Sequence, residues 1–548
     1  MKANVKNSDF VIGNPEAWHK SERKHMHEYF LRTKEFSQIS DEDKIFLTGR
    51  RGTGKSAIAM MLEADAKDVL TEAVQGEAEE YGAYMDIVKD LATASVPGAS
   101  MDIKAAVKRL WLWVLPVKAM QVILDKRKQC PDLADADMTP MVDYFRSLPT
   151  PLHKGSRIGD LLSTMFAEAK GILVREGQAG FDKFVIGLAG SEGFMGAVAA
   201  LRKVTASHPI LILFDTLESY RLFQPYMIEG MQGVLEAIVA FLADKHLDGV
   251  YLKFFMPSEI YEDVLTGFPG KVQSRSVALR WGTPDLMSML ARRYLGILQR
   301  TDAVEPSETK RLTAEVDRAY EQRDDHHLRG AFWYDTGFLP QKVVNVRGVP
   351  EDCFAYMMRH TQRRPRDILT QMQHIINESR AREEFPRISQ ESVRAGVHND
   401  TTLLQILGDA LTPYEGKIPG HLITAARAAF YGRSTLMSGR ELRRFAQELY
   451  NLQPLEYVDP SIFVELLLRC GVVGIAHEED LKRGLPGMYC KAKFEYIMEG
   501  TLPVADRFTY CVHPVMGDIF RMKPAESIGV VYPMPEHVER LEKDADIA

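Results

Sequence analysis

The chain has 548 residues, of which 45% are apolar and 26% charged, and a formal net charge of −7. That balance excludes a disordered chain and a globally basic nucleic-acid coat. The length exceeds what one hydrophobic core serves, so several domains of roughly 100 to 200 residues each are expected.

The first stretch, residues 1–40, reads as an N-terminal helical segment. It opens with "MKANVKNSDFVIGNPEAW", which has no apolar core of signal-peptide length. Two later apolar stretches fall short of a membrane span. "LWLWVLPVKAMQVIL" is cut by Pro116 and Lys118, and "FVIGLAGSEGFMGAVAAL" carries Glu192 and several glycines. The five cysteines, Cys130, Cys353, Cys470, Cys490 and Cys511, make no CxxC pair and no disulfide framework. A cytoplasmic protein without a membrane partner is expected.

Residues 41–300 read as an α/β core. "KIFLTGRRGTGKSAIAMML" begins with a short buried strand, "IFLT", and continues through Gly49, Arg50, Arg51, Gly52, Thr53, Gly54, Lys55 and Ser56, which fit G-x-x-x-x-G-K-[ST] at every position. "SAIAMMLEADAKDVL" then supplies a helix. Glycines let the backbone curl so that several N–H groups face one hollow, and the positive end of the helix adds its partial charge, which makes a cradle for phosphate. Lys55 is expected to reach the β- and γ-phosphates of ATP. Ser56 is expected to ligate Mg2+ between them.

A phosphate loop of this kind needs a carboxylate strand beside it. In "HPILILFDTLESY" the apolar run Ile210 to Phe214 ends at Asp215, as a strand buried on both faces of a parallel sheet would. Asp215 is the candidate metal-side carboxylate. Glu218 is either the general base that polarises the attacking water or an acid at a helix N-terminus. Many active ATPases carry Glu directly after the Asp; Thr216 occupies that position here, so slow hydrolysis or binding without turnover is open.

"GVYLKFFMPSEIYEDV" and "SVALRWGTPDLMSMLARRYLGIL" each read as strand, break and helix, so a parallel sheet covered by helices is expected. Ser258 either senses the γ-phosphate or caps the next helix. Arg292 and Arg293 suit a charged helix face or an arginine finger. Far more chain lies between the loop and Asp215 than one crossover requires, and residues 82–204 are expected to be a helical insertion, with a helix pair broken at Pro116 and with Trp111 and Trp113 in its core.

Residues 301–398 read as a helical lid. Its first part, Thr301 to Gly330, is a polar inserted helix; the histidines His326 and His327, like His25 and His27, lack a full metal-ligand set and belong on the surface. In "MMRHTQRRPRDILTQMQHIINES", Pro365 starts a helix with Ile368, Leu369, Met372, Ile375 and Ile376 on one face. Arg366 then sits near a helix N-terminus, where the dipole disfavours a cation unless an anion lies close by. The γ-phosphate is one such anion. Asp367 or another local acid, paired with Arg363, Arg364 or Arg366, is the other.

"GRRGTGKSAI", "LILFDTLES" and "TQRRPRDIL", in this order, resemble the bacterial P-loop ATPases of the AAA-like and STAND-like group, in which an Arg-Pro-Arg-Asp helix acts as a second sensor. The resemblance covers roughly residues 10 to 380 and implies an ATP-controlled switch, commonly a homo-oligomer, of a kind found in phage defence or genome maintenance. Lys55, Asp215, Glu218 and Arg366 are its implied catalytic residues.

Over residues 399–548 the order is helix, helix, two strands and a short helix, which resembles a winged helix. Arg440, Arg443 and Arg444 share a helix face that suits a DNA backbone, whereas the balance of acids and bases in the module suits a protein partner or effector, or a lid over the nucleotide. His513 reads as structural. The chain has neither the Asn/Thr-Lys-x-Asp guanine reader of a GTPase nor the signature of an ABC-type ATPase. Three functions remain: a slowly hydrolysing ATPase switch, a nucleotide-stabilised binding module without turnover, and a nucleic-acid remodeller.

Overall fold

A computed structural model describes residues 6, 10–13, 20–66, 69–75, 88–89, 102–148, 158–215, 225–243, 248–259, 272–322, 324–411, 427, 430–452, 459–483, 490–497, 501–525 and 530–533. The chain forms two compact units, residues 32–50 with 55–280 and residues 1–31 with 51–54 and 281–548. The first helix, α1 (Lys20–Tyr29), belongs to the latter.

The sheet unit is built on five strands: β1 (Phe46–Gly49), β2 (Leu70–Gln75), β3 (Ile210–Asp215), β4 (Val250–Pro257) and β5 (Ser276–Ala278). They run in the order β2-β3-β4-β1-β5, and every pairing is parallel. A parallel sheet is covered on both faces, which is why β1 and β3 read as uninterrupted apolar runs; all of β1 and Ile210 to Phe214 are buried. Phe214 and Phe254 lie level across β3 and β4 and stack with ring centres 4.3 Å apart. Buried inside β4, Lys253 donates to the carbonyls of Lys44 and Asp41 at 2.6 and 2.5 Å, and burial pushes its pKa down to about 8.

Short helices flank β1: α2 (Lys34–Ile39) before it and α3 (Lys55–Asp65) after it. The helix read from "SAIAMMLEADAKDVL" stops at Asp65, and Leu70 opens β2 instead. "LTEAVQ" is rich in helix formers, yet it pairs with β3 along its whole length, and sheet contacts override such local preference.

The insertion is helical as expected: α4 (Ile103–Asp125), α5 (Asp135–Ser147), α6 (Ile158–Gly190) and α7 (Glu192–Thr205), with α6 departing from helical geometry at Gly177. It shares one core with the sheet and with α8 (Pro225–Ala243). The break expected at Pro116 does not occur. Proline removes one backbone donor, but the turns on either side of Pro116 are buried almost all round, and that packing holds α4 continuous. Trp111 and Trp113 are core residues: Trp111 meets Phe214 edge-on at 6.1 Å, and the Trp113 indole donates to the Tyr144 hydroxyl at 2.6 Å. Among the described residues, Tyr226–Ala243 is long and apolar enough to cross a membrane, as is the bent pair Ala179–Gly190 and Glu192–Thr205 if counted as one span.

The C-terminal unit contains α9 (Thr283–Arg300) and α10 (Pro306–Gln322), then a π-helical turn at Leu328–Tyr334. The hairpin β6 (Lys342–Val344) and β7 (Pro350–Asp352) leads to α11 (Cys353–Arg359), α12 (Pro365–Ala381), α13 (Gln390–Val397) and α14 (Asp400–Leu411). The apolar face predicted for α12 is buried at all five positions.

A second sheet closes this unit. Its strands are β8 (Leu436–Ser438), β9 (Val473–Ala476), β10 (Cys490–Lys493), β11 (Thr509–Val512) and β12 (Val531–Tyr532), in the order β12-β10-β9-β11-β8. It is antiparallel except where β10 meets β12. Helices α15 (Gly439–Leu452), α16 (Pro460–Arg469) and α17 (Pro514–Ile519) complete it. The sheet is larger than the expected strand pair: β8 and β12 are too short to register as apolar runs, and β9 lies in the tail of "PSIFVELLLRCGVVGIA", which reads as one helix but leaves it after Arg469. The architecture is therefore an α/β phosphate-loop core with a helical insertion, followed by helices and an α+β C-terminal region.

All five cysteines are buried. Burial pushes the Cys490 thiol up to about 12 and those of Cys353 and Cys511 well above the ordinary range. Thiolate is the reactive form, so the native protein is expected to resist a thiol reagent at pH 8 and to yield five titratable thiols in guanidinium. A fast-reacting thiol in the native state would contradict this packing.

Candidate phosphate-loop site

β1 delivers the loop at the C-terminal edge of the sheet, and α3 starts at Lys55. Ligands of open α/β sheets bind at this edge. Gly52 and Gly54 have φ values of +82° and +94°, a region that L residues adopt with strain. A Cβ on Gly52 would also lie 3.2 Å from the Arg366 Cβ. Glycine is thus required at both places, as the motif implies.

In the sheet unit, Lys55 is buried and its ammonium donates to the carbonyls of Gly49 and Arg50 at 2.9 and 3.2 Å. Ser56 follows in the first helical turn. Asp215 ends β3, but β3 is not the neighbour of β1: β4 lies between them. The two strands are therefore about 10 Å apart, a span suited to a hydrated metal ion and a phosphate group rather than to direct contact. The backbone curl, the lysine at its base and a carboxylate on the same sheet edge form a donor set that fits ATP and Mg2+.

Glu218 and Thr216 lie outside the described residues. Ser258 donates to the Glu259 carboxylate at 3.4 Å, and Glu259, almost fully buried, stands 3.9 Å from the Arg50 guanidinium. Glu259 carries no motif of its own in the sequence, although it directly follows Ser258 at the end of β4.

In the C-terminal unit, residues 51–54 pack with the Arg-Pro-Arg-Asp helix. The Arg366 N–H donates to the Gly52 carbonyl at 3.3 Å, and Trp281 donates to the Thr53 carbonyl at 2.7 Å. Arg364 and Asp367 form a buried pair at 3.0 Å, and Arg364 also donates to the Ile406 carbonyl at 3.1 Å. Burial raises the Asp367 pKa, opposed by Arg364 and the Gln362 N–H. Arg366 pairs with Asp409 of α14 at 3.0 Å, and Arg51 of the loop reaches the same oxygen at 3.4 Å. The local acid foreseen as an alternative to a phosphate, Asp367, is thus present for Arg364, whereas Arg366 meets an acid distant in the sequence. No sequence signal marks Asp409.

Arg292 pairs with Asp317 at 2.6 Å, while Arg293 is buried over the Tyr29 ring and donates to the Ile12 carbonyl at 3.3 Å. His326 is exposed, and His25 faces Glu28 at 3.2 Å. His513 caps α17 and bonds to the Tyr496 hydroxyl at 2.7 Å, a structural role.

No protein-family model matches the chain, and no curated protein matches it significantly. Two solved structures are similar to it in extent. The structure of the Aeropyrum pernix ORC2 protein in ADPNP-ADP complexes aligns with 94% of this chain and 98% of that one, at 12% identity and a TM-score of 0.36. The ADP form of the same protein aligns with 91% and 92%, at 13% identity and a TM-score of 0.29. Similarity at that level leaves the functional reading to the residues of the site.

Proposed function

We propose that the chain is an ATP-binding switch that hydrolyses ATP slowly and acts by assembling as a homo-oligomer or by holding and releasing a protein partner. The supporting observation is the loop from Gly49 to Ser56 at the C-terminal edge of a parallel sheet, with Lys55 at its base and Asp215 ending a strand of the same sheet. In this reading the loop amides and Lys55 hold the phosphates, and Ser56 and Asp215 hold Mg2+, directly or through water. When bound, the ion neutralises charge on the β- and γ-phosphates. Glu218 is assigned to orienting the attacking water, and Arg366 to sensing the γ-phosphate by exchanging Asp409 for it. A setting in phage defence or genome maintenance rests on the family resemblance alone.

The second reading is a nucleotide-stabilised protein- or DNA-binding module without turnover. Its DNA form loses ground because Arg443 pairs with Asp506 and Arg444 with Glu448, so two of the three basic residues on α15 already face acids. Phosphate release with and without DNA, alongside the mass of the assembled particle, separates the readings. A switch releases phosphate and loses that activity in Lys55→Ala and Glu218→Gln; a module shows no release above background.

The exchange at Asp409 has its own test. Asp409→Asn removes the carboxylate that competes for Arg366, and ATP affinity is expected to rise about fivefold, on the order of 1 kcal/mol, although two arginines lose an acidic partner and thermal stability falls. Unchanged or weaker ATP binding in a folded variant would remove Arg366 from the phosphate site.

A further inference from the structure

Among the described residues, one group of side chains outside the loop has the composition and spacing of a metal centre. His360 follows α11, His398 caps α13, and Asp518 lies on α17, so three elements of the C-terminal unit converge there. One ligand atom from each lies within 4.8 Å of the other two.

The hydrogen bonds of the two rings set their orientation. His360 is buried, and its Nδ1 is 2.7 Å from the Tyr356 carbonyl. A carbonyl only accepts, so Nδ1 carries the hydrogen and Nε2 turns a lone pair towards Asp518. The Nε2 to Oδ2 distance is 3.6 Å, beyond a hydrogen bond. On His398, Nε2 bonds to the Tyr356 hydroxyl at 2.7 Å, which leaves Nδ1 facing the same carboxylate oxygen at 3.0 Å. Despite that distance, the buried Asp518 Oδ2 accepts no hydrogen bond.

Two ring nitrogens and one carboxylate oxygen therefore converge, and no hydrogen bond satisfies that oxygen. Bonds of about 2.0 to 2.1 Å to a tetrahedral ion put ligand atoms about 3.4 Å apart, and the separations of 3.6 and 3.0 Å to Asp518 Oδ2 bracket that value. Tyr356 supplies both supporting contacts, its carbonyl to one ring and its hydroxyl to the other, as partners of metal-bound histidines do.

We propose that His360 Nε2, His398 Nδ1 and Asp518 Oδ2 bind a divalent transition-metal ion of the zinc class, which ties α11 and α13 to α17. Imidazole with one carboxylate suits zinc better than magnesium or calcium, which prefer all-oxygen sites. The sequence gives little sign of it, since the ligands come from three distant segments without the short spacing of a zinc motif.

Elemental analysis of the full-length protein after dialysis is expected to find one zinc per chain. After chelation, calorimetric titration with zinc sulfate should restore one site. His398→Ala and Asp518→Asn are expected to weaken zinc binding by at least about 100-fold and Tyr356→Phe by about tenfold. His208→Ala, which alters a histidine–aspartate pair on the sheet unit, should leave it unchanged. Should the ligand variants fail to fold, cobalt added to the chelated wild-type protein should give the visible bands of a tetrahedral site. Metal-free protein that takes up neither ion, or zinc binding indifferent to both ligand variants, would overturn the proposal.

Discussion

Lys55→Ala is expected to weaken ATP binding by about 100-fold or more, a loss on the order of 3 kcal/mol for a charge-assisted contact to phosphate. The ammonium sits at the base of the loop and donates to the Gly49 and Arg50 carbonyls at 2.9 and 3.2 Å. Bound phosphate would draw the same cation forward, so in the proposed role the side chain would both hold the loop in shape and meet the ligand. Titration of a fluorescent ATP analogue reads the affinity. The circular dichroism melt of the same sample guards against a misfolded loop, since truncating a buried lysine also costs the fold about 1 kcal/mol per lost hydrogen bond. A folded variant with wild-type affinity would mean that the nucleotide binds elsewhere or not at all.

The largest stability effect is expected at Glu351. Its side chain is completely buried and receives the Arg359 guanidinium through two bonds at 3.0 and 3.2 Å. Asn345 donates to one of its oxygens and the Tyr532 hydroxyl to the other. A hairpin strand, a helix end and the terminal strand β12 therefore meet on one carboxylate. Glu351→Ala strands a guanidinium in a dry interior and is expected to cost about 3 to 5 kcal/mol, read as a lower urea midpoint. Arg359→Ala should cost a similar amount, and the double variant less than the sum of the two, because the second truncation removes a charge already stranded. Strictly additive losses would show that the pair does not act as a unit.

How much of this was legible depended on distance along the chain. The phosphate loop could be read because eight consecutive residues carry it. β3 could be read because burial on both faces demands an unbroken apolar run, here ending at Asp215. The burial of α12 followed from five apolar residues at helical spacing. Failures arose where tertiary contacts overrode local signals, as at Pro116, which the core holds within one helix, and at Leu70, which pairing with β3 draws into a strand. Asp409 was invisible because it lies 43 residues from Arg366 in an unremarkable helix. The proposed metal ligands were invisible for the same reason: His360, His398 and Asp518 meet only after three separate helices pack.

The most direct measurement is the crystal structure of the protein with a non-hydrolysable ATP analogue and Mn2+, collected at a wavelength where manganese scatters anomalously. Phosphate density is expected against the amides from Gly49 to Ser56, with a manganese peak between Ser56 and Asp215. Triphosphate bound away from that loop, or a peak with Asp215 outside its coordination sphere, would contradict that expectation.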